Sequence, residues 1–164
     1  MAVSNMPLEQ ARVERDPLGK QRLYETLAEV QDRGLARRMV EIAFADEPPA
    51  GTGPYLLLPL AVNHPDLVWE LALPHLEDAE FPLDNPMRWK IAVYIAGKSA
   101  LPAREVELKN YEAGNVPESA RRPCEGALAA IRQNRHVAQH AVPEIARWLS
   151  ALMPQATPQA GRRG

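Results

Sequence analysis

Apolar residues recur at helical spacing along nearly the whole chain, and prolines stand where those stripes begin rather than where strands would end. Proline suits the first turn of a helix, because the amide it lacks has no partner there. Asp16-Pro17 opens such a segment, with Leu23, Leu27 and Val30 on one face, and the spacing predicts a helix over 17–30. Asp32 opens the next, whose stripe is Leu35, Met39, Ile42 and Ala43. So short a link predicts an antiparallel hairpin of these two helices.

The stretch Asp46 to Pro54, with Pro48, Pro49, Gly51 and Gly53, cannot continue a helix and reads as the longest internal loop. Beyond it come a short apolar helix from Tyr55 to Val62 and a second that opens at Pro65 with Leu67, Val68, Leu71, Ala72 and Leu76. Pro74 lies inside that second pattern and predicts a kink or an early end. Asn85-Pro86 repeats the cap-and-proline start, and Gly97 is placed to close that helix in a left-handed conformation. Pro102 begins the next, with Val106, Leu108 and Tyr111 before a Gly114-Asn115 stop. Finally Ala120, Cys124, Ala127, Leu128 and Ile131 share one spacing that Ala141, Ile145, Trp148, Leu149 and Leu152 repeat. Two such amphipathic helices are expected to pack on each other.

No segment shows β alternation, and no Asn-Gly or Asp-Gly dipeptide joins apolar runs. The fold class is therefore all-α. About eight helices in successive antiparallel hairpins suggest a bundle or a short right-handed stack of HEAT or armadillo type. One helical domain is expected over 1–152, because 164 residues are enough for one core. Residues 153–164, rich in Pro, Gln, Gly and Arg, read as a disordered tail.

The charges nearly cancel, at −2 with His neutral, and no basic stripe suits a phosphate backbone, so nucleic acid is not expected as a partner. Every hydrophobic stretch is interrupted well before the roughly 20 residues that cross a bilayer, and Met1 to Met6 lacks the pattern of a secretory signal. No membrane association is expected. A single cysteine, Cys124, excludes an intrachain disulfide and reads as a buried small residue. Together these features point to the cytoplasm.

Four stretches, in order, resemble the C-terminal helical domain of the gluzincin zinc aminopeptidases. They are DPLGKQRLYETLAEVQDRGLARRMVEIAFADEPP (Asp16 to Pro49), NHPDLVWELALPHLE (Asn63 to Glu77), ELKNYEAGNVPESARRPCEGALAAIRQN (Glu107 to Asn134) and the closing IARWLSAL (Ile145 to Leu152). The resemblance implies a HEAT-like stack that packs on a separate zinc catalytic domain and limits which peptides reach it. Zinc is expected only in that domain: this chain has no His-Glu-x-x-His pair and no Gly-x-Met-Glu-Asn run, and it is read as non-catalytic, binding no cofactor. The alternative is a free-standing helical-repeat adaptor that binds a protein or extended peptide in its concave groove. A stack separated from a larger enzyme is expected to expose an apolar patch between Met6 and Leu27.

His136 and His140 stand one helical turn apart, a spacing that can hold zinc, but Val137 occupies the place of a catalytic Glu. They read as surface histidines, and His64 and His75 as structural ones. Ser119, Ser150 and Cys124 have no base at a motif spacing. Arg121, Arg122, Arg132 and Arg135 are candidates to line a groove for a peptide carboxylate, and otherwise form a solvated helical face. Trp89 lies off the main apolar face and is the candidate anchor for a partner, whereas Trp69 and Trp148 are assigned to packing.

Overall fold

The computed structural model describes residues 6–78, 80 and 83–152, and among these the secondary structure is helical throughout. The expected tail over 153–164 lies outside the described residues. Nine α-helices are found among them: α1 (Met6–Val13), α2 (Pro17–Leu27), α3 (Arg33–Ala43), α4 (Gly53–Asn63), α5 (Pro65–Glu77), α6 (Asn85–Gly97), α7 (Pro102–Asn115), α8 (Arg122–His136) and α9 (Val142–Leu152). A 3₁₀ turn (Glu118–Ala120) precedes α8, and a π-helical turn (Val137–Ala141) joins α8 to α9.

Three of the predicted starts carry side-chain caps. Asp16 accepts from the Gly19 amide at 2.7 Å and Asp32 from Leu35 at 2.8 Å, each satisfying a donor that the first helical turn leaves free. In α6 the cap is Asp84, which accepts from the Met87 amide at 2.9 Å, rather than Asn85, which is already helical. Carbonyls at one helix end are met from another helix. Asn63 donates to Glu29 O at 3.1 Å, the His64 ring meets Val30 O at 3.0 Å, and Asn134 donates to Gly97 O at 3.0 Å and Ser99 O at 3.2 Å. His64 is thereby a structural residue.

Most helices pack on the next and several on the next but one: α3 lies on α4 and α5, α4 on α5 and α6, and α6 on α5, α7 and α8. The core runs through these contacts, with Met39, Leu57, Leu60, Leu67, Val68, Ile95, Leu108 and Ile131 removed from solvent. The hairpin expected between the Pro17 and Asp32 helices takes a different form, since α2 packs chiefly on α1 and α3 chiefly on α4. The missed α1 supplies Leu8 and Ala11, both buried, as the cover for α2. The patch expected between Met6 and Leu27 is accordingly reduced to exposed Val13 and Leu18, while Leu8, Ala11, Tyr24 and Leu27 are buried.

Three further expectations are corrected by packing. The α5 helix continues through Pro74 to Glu77, because Trp69, Ala72 and Leu76 are held in the core on both sides of the lost hydrogen bond. Gly97 ends α6 without a positive φ, and its role is close approach: a Cβ there would lie 3.4 Å from the Ala127 methyl of α8. Positive φ is found at Gly51, at 79°, in the turn that enters α4. The helices around Ile131 and Ile145 do not fold back on each other. They form one rod from Arg122 to Leu152, and among the described residues the main contacts of α9 are with the π turn that precedes it.

Candidate interaction surfaces

Three places bring chemistry-bearing side chains together. The first is a buried polar network at the junction of α5, α6 and α7. Arg104, whose side chain is 4% exposed, donates to Asp66 at 3.0 Å and also pairs with Glu107. Its guanidinium carbon lies 4.9 Å from the centre of the Trp69 ring, and Ser99 Oγ donates to the same Asp66 at 2.6 Å. Arg104 belongs to the buried face of α7 with Leu108 and Tyr111, at i, i+4 and i+7, whereas Val106 is exposed. An arginine on an apolar stripe was the sequence signal for this network, and the choice of Val106 for the stripe concealed it. Among the described residues Arg104 Nε and the Tyr111 hydroxyl, both buried, meet no hydrogen-bond partner, and burial pushes the Tyr111 phenol up to about 12. Ion pairs of Arg104 join α7 to α5, and Ser99 ties in the end of α6, so this network links three elements of the fold.

The second is a clamp on the N-terminal helix. Glu47 accepts from Arg12 Nε at 2.8 Å, from Arg12 NH2 at 3.1 Å and from the Tyr24 hydroxyl at 2.8 Å. The forked guanidinium bond, followed by the Tyr24 hydroxyl, holds the Glu47 carboxyl below its ordinary range. Burial first, and then the Glu47 carboxylate, push Tyr24 up to about 12. The clamp fixes α1 and α2 to the loop between α3 and α4, the loop that lines the third place.

That third place is an open groove of about 770 Å³ beside the α3–α4 loop and the start of α6. Phe44, Pro48, Pro49, Pro54, Tyr55, Leu83 and Met87 supply an apolar lining, and Asp46 and Asp84 bring carboxylates to it. Phe44 is stacked on His75, with ring centres 4.1 Å apart, so one wall is held from behind by α5. Nothing in the sequence marked the groove. Its residues read only as a loop and a helix start, and their convergence depends on α3, α4 and α6 meeting at that corner.

The structure redistributes the residues that sequence singled out. Trp89 is 7% exposed and belongs to the core, so it is not an anchor on the folded surface; α6 is contacted by α4, α5, α7 and α8 and buries more than one stripe. Arg132 and Arg135 converge on Glu105 of α7, at 2.7 and 2.8 Å, and Arg132 first and then Arg135 hold that carboxyl below its usual range. Arg121 and Arg122 are exposed at the opposite end of α8, so the four arginines do not form one cluster. The rings of His136 and His140 lie 4.6 Å apart at the π turn, and among the described residues no group of three or more His, Cys, Asp or Glu side chains is placed to hold one ion. Cys124 is buried, and burial pushes its thiol up to about 11. Trp148 is the converse of Trp89: assigned to packing, it is 61% exposed on α9.

Among the described residues no helix is long and apolar enough to cross a membrane. Compared with protein-family models, curated proteins and solved structures, the chain has no match.

Proposed function

We propose that the chain is a non-catalytic helical interaction domain, a short HEAT-like stack that packs on a separate zinc-peptidase catalytic domain and shapes the access of peptides to it. The stack reading is supported by helices that pack on the next and the next but one. The observation that carries the functional reading is the groove between the α3–α4 loop and α6. Its volume falls within the range of ligand sites, and its lining of aromatic, proline and methionine side chains suits an apolar peptide segment. Asp46 and Asp84 add a preference for positive charge beside that segment, such as a peptide amino terminus or a lysine. Any zinc belongs to the partner.

The resemblance to the C-terminal domain of the gluzincin aminopeptidases supplies the choice of partner. The test is co-purification with a zinc aminopeptidase catalytic domain, scored by peptide hydrolysis with and without this chain. Altered selectivity among peptides that Met87→Asp abolishes supports the reading; no complex and no change in hydrolysis refutes it. The second reading, a free-standing adaptor that takes an extended peptide, is favoured by the same acidic apolar groove. It predicts that a short apolar peptide with a free amino terminus binds this chain alone, and that acetylating the amino terminus weakens binding.

A further inference from the structure

One turn of the rod formed by α8 and α9 carries two histidines. His136 closes α8 and His140 lies in the π turn four residues on, and both are exposed. Side chains at this spacing start about 5–6 Å apart at Cβ, yet the two ring centres are 4.6 Å apart, so the rings converge. They are not stacked. Their planes are tilted by 45°, against 16° for Phe44 on His75, and an aromatic stack does not account for the approach. The turn itself is widened, with the Val142 amide reaching the Val137 carbonyl five residues back, a distortion that recurs at functional sites.

The ring separation also selects a ligand. A late first-row metal ion stands about 2.0 Å from an imidazole nitrogen and so about 3.2 Å from the ring centre. Two rings on one ion then lie about 4.5 Å apart at a right angle and about 5.2 Å apart at the tetrahedral angle. The observed approach fits the right angle, the cis arrangement of tetragonal Cu²⁺ or Ni²⁺ rather than that of tetrahedral Zn²⁺. We propose that His136 and His140 form a two-imidazole chelate for a divalent late transition ion, Cu²⁺ ahead of Ni²⁺ and Zn²⁺, whose remaining positions take water. The surrounding charge permits it. Arg132 and Arg135, within a turn of His136, are both held by Glu105 at 2.7 and 2.8 Å, and Glu144 lies one turn beyond His140. An ion bound across this turn fastens the segment on which α9 chiefly rests. The site is independent of the groove and of the zinc assigned to a partner domain.

Calorimetric titration of the full, chelator-treated chain with CuCl₂, NiCl₂ and ZnCl₂ tests the site. One tightly bound Cu²⁺ per chain is expected, with affinity at least about ten-fold above that for Zn²⁺. His140→Ala is expected to weaken Cu²⁺ binding about ten-fold or more, because the second imidazole no longer acts at the high effective concentration that the helix imposes. Adding Ala138→His to that variant restores the histidine count at a spacing of two, where side chains do not face each other, and affinity is expected to stay low. Circular dichroism checks the fold of each variant, and electron paramagnetic resonance of the Cu²⁺ complex should show two imidazole nitrogens. Binding that is unchanged in His140→Ala, or recovered by Ala138→His, is adventitious and overturns the inference, as does Zn²⁺ bound as tightly as Cu²⁺.

Discussion

Replacing Gly53 by alanine is expected to destabilise the fold, while the same replacement at Gly126 is expected to stabilise it. Gly53 opens α4 against the end of α3. A methyl group there would stand under 3.0 Å from the Ala43 carbonyl oxygen and 3.3 Å from its carbonyl carbon. The obstacle is backbone, held in α3 by buried Val40, Ile42 and Ala43, so no side chain can swing aside. Relief requires α4 to move away from α3, and forced overpacking of this kind costs about 1–3 kcal/mol. Helix propensity returns little at a first-turn position. Gly126 lies inside α8, where a Cβ would meet nothing within 4 Å. There the propensity gain of about 0.5–1 kcal/mol acts alone. For a chain of 164 residues, thermal unfolding should show Gly53→Ala lowered by roughly 3–10 °C and Gly126→Ala raised by roughly 1–4 °C. Equal or higher stability of Gly53→Ala would refute the close approach of α4 to the Ala43 carbonyl, and with it the packing that shapes the groove.

The clamp on α1 predicts pH dependence at both extremes. The Glu47 carboxyl is depressed in the fold, so its stabilisation is present above the unfolded carboxyl range and is lost as pH falls through the lower folded value; Glu47→Gln should flatten the acid limb of a plot of Tm against pH. The Tyr24 phenol is raised to about 12 from 10.0, so its contribution is intact below pH 10 and is lost between those values, a loss that Tyr24→Phe should reduce. Removing Arg104 strands Asp66 and Ser99 and empties the space over Trp69; with Asp66 partly solvated, Arg104→Ala should cost about 2–4 kcal/mol in denaturant unfolding, and Arg104→Met less because it keeps packing on the ring. The buried Cys124 thiol, raised to about 11, should react with a thiol reagent only as the fold opens, so rapid labelling of the native chain would contradict its place on the buried face of α8.

Periodicity revealed the helices because each stripe is a local property of 10 to 15 residues, and the cap and proline signals at Asp16, Asp32, Pro65 and Pro102 mark where amides lack partners whatever the surroundings. The all-helical class and the starts of most helices were therefore legible without coordinates. The partner of each stripe was not, because a stripe states that a face is apolar and nothing about what covers it. Trp89 and Trp148 exchanged their expected places for this reason. The former is enclosed by the several helices that contact α6, and the latter is carried past the body on a continuous rod. Likewise Arg104 declares its burial only once α5 and the α6–α7 junction bring Asp66 and Ser99 beside it.

The groove belongs to the same class of feature. Phe44, Tyr55 and Met87 come from different helices and the loop after α3, and their shared cavity follows from how closely α4 approaches α3 at Gly53. Local sequence determined that this chain forms amphipathic helices and where most of them begin, because hydrogen bonding and side-chain periodicity act within a few turns. Tertiary structure alone decided which faces meet, which arginine is buried and which tryptophan is left in water, because those outcomes depend on long-range packing that no short stretch of residues encodes.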